Sequence, residues 1–357
     1  MIMSNFDPVT RIKVFGVGGG GCNAVNRMVE ADLIGVQFYV ANTDKQVLDS
    51  SKCDNKILLG FNTTHGLGAG GNPAIGKAAA EESRQEISEA MKDADMIFIA
   101  TGLGGGTGTG AAPIFAQCAK ETGALTIAVV TKPFEFEGKK RMMQAISGLD
   151  ELKRSVDSII IIPNEKVNVI LGALPIKQAF VEADNVLRQA VQTITDLVSY
   201  NALINLDFAD IRAVMAGQGA ALIGVGQASA DEMDSKDPVE MAREAAKRAV
   251  NCPLLEADIK GAKNAIINVS GGDSLTIENA RSAVDYIKQV AGSDVDIIFG
   301  LAYNNALRDS IIVTIIATGF ESLPDENLFT TKTYEQPAGN KPVSDVDIPD
   351  FFNYRSE

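Results

Sequence analysis

The chain has no tryptophan, one histidine (His65) and four cysteines in 357 residues. A lone histidine leaves little material for a His-based triad, and nothing around His65 resembles one. Cys22, Cys53, Cys118 and Cys252 lie far apart and form no C-x-x-C pair. That argues against a zinc ribbon or a disulfide framework and predicts reduced thiols. No apolar run reaches the roughly 18 residues of a membrane-spanning helix, and the opening Met1 to Pro8 lacks the basic and apolar regions of a signal peptide. A cytoplasmic protein without direct membrane insertion is expected. Positive charge is also short: 32 Lys and Arg face 46 Asp and Glu, giving a net charge of −14 and a pI near 4.7. Phosphate surfaces repel such a chain, which excludes general binding to nucleic acid or anionic membranes, so a membrane link would need an adaptor.

What is present is an ordinary globular composition, 46% hydrophobic and 22% charged, in a chain long enough for two packed domains and a tail. Segments 11–17, 36–41, 95–101, 124–131 and 157–163 are apolar at nearly every position, the pattern of strands in a parallel sheet covered on both faces. Segments 73–91 and 139–153 have the Ala, Glu, Gln and Arg content of crossover helices. Together they predict a doubly wound α/β domain over residues 11–172 after an N-terminal extension, 1–10. Apolar residues at helical spacing from Phe180 to Val198 predict one long helix over 175–200, about 35 to 40 Å, within a connecting segment 173–200. Apolar runs at 220–225, 265–269, 295–302 and 311–318, with helical stretches at 239–250 and 277–290, predict a second, smaller α/β domain over 201–320. Residues 321–345 are polar and Pro-bearing and read as a flexible linker. In the terminal peptide, 346–357, apolar side chains return from Asp347 to Phe352, as a frayed end or as a segment that folds onto a partner.

Chemistry concentrates in glycine. Gly16 to Gly21, G-V-G-G-G-G, follows the first predicted strand and opens a helix, so bare backbone can approach an anion held at the helix N-terminus. The same run fits the dinucleotide fingerprint G-x-G-x-x-G, with Asp44 about 20 residues on, so an NAD-dependent oxidoreductase is a competing reading. A second loop, Thr101 to Gly110, T-G-L-G-G-G-T-G-T-G, offers further free N–H groups and, past the strand end, the hydroxyls of Thr107 and Thr109. One dinucleotide does not need both loops, whereas a triphosphate can use two that converge from neighbouring strand ends. Gly71 to Lys77 matches most of a Walker A motif, but Ala78 stands where Ser or Thr must meet magnesium and no strand precedes it. Gly66 to Gly71 is better read as a third loop near the terminal phosphate.

Here the sequence resembles a known family. Gly104 to Gly110, G-G-G-T-G-T-G, is the signature of the tubulin and FtsZ family. Lys132 to Gly138 (K-P-F-E-F-E-G), Ile162 to Asn164 (I-P-N) and Asn205 to Asp210 (N-L-D-F-A-D) resemble its FtsZ branch. The similarity runs from Arg11 to Phe320, and Asp347 to Phe352 is similar to the family's C-terminal peptide. The resemblance implies a tubulin/FtsZ-type GTPase domain joined by a long central helix to a smaller α/β GTPase-activating domain. It implies hydrolysis of GTP to GDP with Mg2+ on the β- and γ-phosphates, and head-to-tail filaments in the division ring at midcell. It also implies division adaptor or membrane-tethering proteins that bind Asp347 to Phe352.

Position by position, the resemblance assigns Gly19, Gly20, Gly21, Cys22, Asn23, Gly102, Gly104, Gly105, Gly106, Thr107, Gly108 and Thr109 to the phosphates, with Ala69, Gly70 and Gly71 near the terminal one. Asn42, Thr131 and Pro133 complete the pocket, Glu137 and Arg141 meet the ribose and phosphate side, and Asn164, Phe180 and Asp184 hold the base. The role of Asp184 is intelligible chemically: a carboxylate accepts from guanine N1–H and the N2 amine, and adenine offers neither. Asn205, Asp207 and Asp210 read from the residues alone as a helix cap. The family implies instead that they enter the next subunit's pocket and polarise the attacking water. A third reading is a filament-forming scaffold that binds nucleotide without turnover, and the Asp207 and Asp210 pair argues against it. Departures from the family are Cys22, where Gly or Asn is expected and whose thiol is either a small loop residue or a reactive group; His65, where Lys or Arg is common; and Phe352, often Leu.

Overall fold

Strands alternate with helices from the start, because the central strands are apolar on both faces and must be covered on both. β1 (Ile12–Val17) leads into α1 (Gly18–Glu30), β2 (Val36–Asn42), α2 (Lys45–Asp49), β3 (Asn55–Leu58) and α3 (Phe61–Thr64). α4 (Pro73–Glu82) and α5 (Arg84–Met91) precede β4 (Met96–Gly102), α6 (Thr107–Thr122), β5 (Leu125–Lys132), α7 (Lys139–Lys153) and β6 (Ser158–Pro163). These strands stand in the parallel order β3-β2-β1-β4-β5-β6. The order reverses beside β1, so the β1 and β4 loops open at one crevice at the carboxyl ends, the usual ligand position in such sheets. The computed structural model describes residues 10–33, 35–171, 175–199, 206–233, 237–252, 258–272, 275–292, 294–304, 307 and 309–320.

α8 (Asn164–Leu171) is followed by α9 (Ile176–Ser199), 24 residues and about 36 Å at 1.5 Å per residue. Beyond it come α10 (Phe208–Met215), β7 (Gly219–Ser229), α11 (Pro238–Val250), β8 (Asn264–Gly271), α12 (Ile277–Ala291), β9 (Asp296–Tyr303) and β10 (Ser310–Thr318). β10 pairs antiparallel with β7 and β8, and β8 runs parallel to β9. The sheet does not stop between the two halves. β7 enters parallel to β6 through Ser158↔Gly219, Ile159↔Ala220 and Ile160↔Ala221, giving one ten-stranded sheet ending β6-β7-β10-β8-β9.

α9 is part of the core rather than a bare strut. Its Val186, Leu187, Ala190, Val191 and Ile194 pack in one cluster with Met28 of α1, Ile160 of β6, Met215 of α10, Ile266 of β8 and Ile316 of β10. Each buried Val, Leu, Ile or Met among them stabilises the fold by about 1.5 to 3 kcal/mol. Two sequence readings need correction. The single helix expected over 73–91 breaks at Ser83, whose hydroxyl accepts from Gly60 N–H at 3.0 Å. β3 was not foreseen, because Ile57 is the one buried side chain of its four. The linker, the segment from Asp347 to Phe352 and Asn205 lie outside the described residues. Among the described residues no helix is long and apolar enough to cross a membrane.

Candidate active site

The glycine loops meet at the carboxyl ends of β1 and β4. A Cβ on Gly18 would lie 2.6 Å from Gly108 N, and one on Gly20 would lie 3.3 Å from the Gly102 backbone. Thr101 Oγ1 donates to Val17 O at 2.9 Å, tying the two strand ends together. The third loop joins them: a Cβ on Gly106 would fall 2.9 Å from the Ala69 Cβ and 2.8 Å from Asn72 N. Gln144 of α7 donates to Gly71 O at 3.3 Å, and the Thr43 and Thr107 hydroxyls share a 2.7 Å hydrogen bond. Thr43 and Gln144 were missed in the sequence because each acts through a residue far along the chain.

The glycines divide into two kinds. Added Cβ atoms on Gly21, Gly108 and Gly110 would come within 2.2, 2.5 and 2.0 Å of Ala100 O, Thr101 Oγ1 and Pro73 O, so these residues let the loops pack. Gly19, Gly70, Gly71 and Gly105 have no atom within 4 Å of that position and line open space. Gly70 and Gly71 also have φ of 58° and 71°, a backbone that side chains resist. Such a cradle suits a polyphosphate: bare backbone N–H groups, α1 and α6 opening at the loops, and room for oxygens. The Thr109 hydroxyl accepts from Gly104 N–H at 2.8 Å, so both loop hydroxyls have protein partners.

Of the remaining expected residues, Thr131, Pro133 and Arg141 touch the second loop. Leu103 N–H donates to Thr131 O at 2.9 Å, and a Cβ on Gly104 would lie 3.2 Å from Pro133 Cγ and 3.0 Å from Arg141 O. Glu137 accepts from Phe134 N–H at 3.0 Å and pairs with Arg141 one turn on. Phe134 packs edge-on against Phe180 with ring centroids 5.2 Å apart, leaving Phe180 half exposed beside the site. Asn164, directly after β6, is buried and its Oδ1 has no partner, an acceptor open to a ligand donor. Asp184 on α9 lies 3.5 Å from Arg27 Nε of α1. Burial pushes its carboxyl up to about 7, against the opposing field of Arg27. Asn23 is exposed at the start of α1, while Asn42 turns inward toward Cys22.

Cys22 is fully buried, and desolvation pushes its thiol up to about 12 despite a weak hydrogen bond from Asn42. This favours the small loop residue over the reactive thiol, leaving only its backbone to serve a ligand. N-ethylmaleimide on the native chain should modify Cys252, which is half-buried, before Cys22, Cys53 or Cys118, which are buried. Peptide mapping that finds Cys22 modified first would reinstate the reactive thiol. Asp44 caps α2 by accepting from Gln46 N–H at 2.9 Å. Lys77 of the Walker-like stretch pairs with Glu151 and follows a helix cap rather than a strand.

Asp207 and Asp210 lie elsewhere. They form a reciprocal cap on α10: Asp210 N–H donates to Asp207 Oδ1 at 2.8 Å and Asp207 N–H to Asp210 Oδ2 at 3.1 Å. α10 is pinned to the amino ends of the sheet, with Ser158 Oγ, at the start of β6, donating to Met215 O at 2.5 Å. Arg212 reaches Gly123 O at 3.1 Å, at the far end of α6, whose 16 residues span about 24 Å from the second glycine loop. The cap reading is therefore true of the free chain, and the pair sits on the opposite side of the sheet from the cradle.

The family model for the GTPase domain of the Tubulin/FtsZ family matches residues 11–172, and that for the C-terminal domain of the FtsZ family matches residues 219–321. Among solved structures, an empty FtsZ dimer from M. jannaschii is 45% identical with a TM-score of 0.79, over 87% of this chain and 88% of that one. A point mutant of FtsZ from the same organism is 44% identical with a TM-score of 0.80, over 87% and 91%. CetZ2 from Haloferax volcanii, in a GTPγS-bound protofilament, shares the fold at 19% identity, with a TM-score of 0.74 over 86% and 92%. The first glycine loop thus lies within a Tubulin/FtsZ GTPase domain. Two family models in chain order and close structural likeness over nearly nine-tenths of the sequence lead to one conclusion: the chain belongs to the FtsZ family of tubulin-like GTPases.

Proposed function

We propose that this chain is a GTP-dependent polymer-forming protein whose copies join head to tail and hydrolyse GTP at the joint. The filaments build the division ring at midcell in the cytoplasm, and a partner-binding peptide from Asp347 to Phe352 links them to adaptor or tethering proteins. The chain would comprise the N-terminal extension 1–10, the GTP-binding domain 11–172, the helix segment 173–200, the activating domain 201–320, the linker 321–345 and the tail 346–357. Backbone N–H groups at Gly19 to Asn23 and Gly104 to Thr109 receive the phosphates, with Ala69 to Gly71 closing on the terminal one. Asn42, Gly102, Thr131 and Pro133 complete the walls, Glu137 and Arg141 hold the ribose and phosphate side, and Asn164, Phe180 and Asp184 hold guanine. Mg2+ would be carried by phosphate oxygens and water, which supply most of its octahedron, and would neutralise charge on the β- and γ-phosphates.

One observation carries the reading: Asp207 and Asp210 cap a helix fixed to the sheet's amino ends, while the cradle opens at the carboxyl ends. A general base must come within about 3 Å of the water it activates, so these acids serve a pocket in another copy. With Asn205, they would enter that pocket and orient and polarise the attacking water. Pairing one end of a copy with the opposite end of the next is a heterologous contact, which grows without closing. The decisive measurement is GTPase rate per molecule against protein concentration, with light scattering on the same samples. Both should rise from near zero at one threshold; a specific rate that stays constant at extreme dilution rules out catalysis at a joint.

A further inference from the structure

Arg27 stands in the last turn of α1, and Asp184 lies on α9, which packs against it. Arg27 Nε is buried and lies at ion-pair distance, 3.5 Å, from Asp184 Oδ2. The two side chains are 27% and 14% exposed, so water does little for either charge. Removing one partner of such a pair leaves the other charge uncompensated. We infer that Arg27 is a positioning residue for guanine recognition, holding the Asp184 carboxylate ionised while leaving lone pairs free for the base. The inference deepens the proposed function and rests on Asp184 being the base contact.

The argument is one of donor and acceptor counting. An ionised carboxylate has about four lone-pair sites, enough for guanine N1–H, the N2 amine and one guanidinium contact. A protonated carboxyl turns one oxygen into a donor, which meets the N2 amine donor to donor. Guanine then loses its advantage over hypoxanthine, which has N1–H but no amine. Burial already raises the Asp184 carboxyl to about 7, and the field of Arg27 opposes that rise. The other charged side chains on the elements packed around this turn are Glu30 of α1, Lys177, Glu182, Arg188 and Asp196 of α9, Glu165 and Lys166 of α8, and Lys132 of β5. Arg27 is the charged group that acts on the Asp184 carboxyl across the α1–α9 contact.

The test is the ratio of GTP to ITP affinity from pH 6 to pH 9 in the full chain, below the assembly threshold, for the parent, Arg27→Met and Arg27→Lys. Phosphate titration and any partly unfolded fraction affect both nucleotides alike and cancel in the ratio. In the parent the ratio should fall by roughly tenfold from pH 8 to pH 6, following the ionised fraction of the carboxyl. Arg27→Met should shift the midpoint of that fall to higher pH, and Arg27→Lys should stay near the parent. An Arg27→Met profile with the parent's midpoint, or a loss equal at every pH, overturns the inference. Asp184→Ala distinguishes the deeper failure: if it keeps the parent's ratio, Asp184 does not hold the base and the underlying reading falls with the inference.

Discussion

Asp210→Asn should leave GTP binding intact and lower turnover by roughly 10²- to 10⁴-fold, the range expected when a general base is removed. Asparagine is the informative replacement because Asp207 and Asp210 also cap α10, each accepting the other's backbone N–H. Asn caps a helix about as well as Asp, so Asp210→Asn keeps the helix end and removes the charge. Alanine removes both and costs about 1 kcal/mol of local stability, confounding chemistry with structure. Asp207→Asn should behave likewise. If both Asn variants turn over GTP at the parent rate, the carboxylates are caps and nothing more, and the nucleophilic water is activated elsewhere. Mixing provides the check in trans: Asp210→Asn has an intact pocket and Gly105→Val would have intact acids. Random joints between them pair pocket with acids about a quarter of the time, so a mixture of two nearly inactive proteins should regain turnover.

Gly105→Ala and Gly108→Ala, three residues apart in one loop, should fail in opposite ways. A Cβ on Gly105 meets nothing within 4 Å, whereas one on Gly108 sits 2.5 Å from Thr101 Oγ1 and 2.7 Å from Gly102 O. Gly105→Ala should therefore melt near the parent temperature but bind GTP more weakly, because the methyl group occupies the phosphate space. Losing one charge-assisted hydrogen bond of about 1.5 to 3 kcal/mol weakens binding about 10- to 100-fold. Gly108→Ala should lose several kcal/mol through overpacking and fold poorly with or without nucleotide. Gly19→Ala belongs with the first and Gly21→Ala with the second, since a Cβ at Gly21 would lie 2.2 Å from Ala100 O. Calorimetric melts beside nucleotide titrations separate the classes. Equal melting losses at Gly105 and Gly108 would show that Gly105 does not line open space.

Much of this was legible in the chain. Unbroken apolar runs located β1, β4, β5 and β6, because a strand buried on both faces must be apolar at every position. β3 escaped notice because an edge strand with a single buried side chain has no such signature. The join between β6 and β7 escaped too, since strand pairing uses backbone groups common to all sequences. Glycine content pointed to the phosphate loops but could not separate Gly105 from Gly108; that depends on atoms many residues distant. Arg27 gave no signal, its partner lying on another helix.

The sequence alone determined the kind of chemistry. Bare glycine turns after strands make an anion cradle by local geometry, and donor count explains why a carboxylate prefers guanine to adenine, while the assignment of that role to Asp184 came from the family resemblance. Tertiary structure decided where the acids stand. Asp207 and Asp210 cap their own helix and face away from their own cradle because α10 is tied to the opposite end of the sheet. Hydrogen bonds and charges act over a few ångströms, so only the folded arrangement of distant segments can show which groups stand within reach of one another.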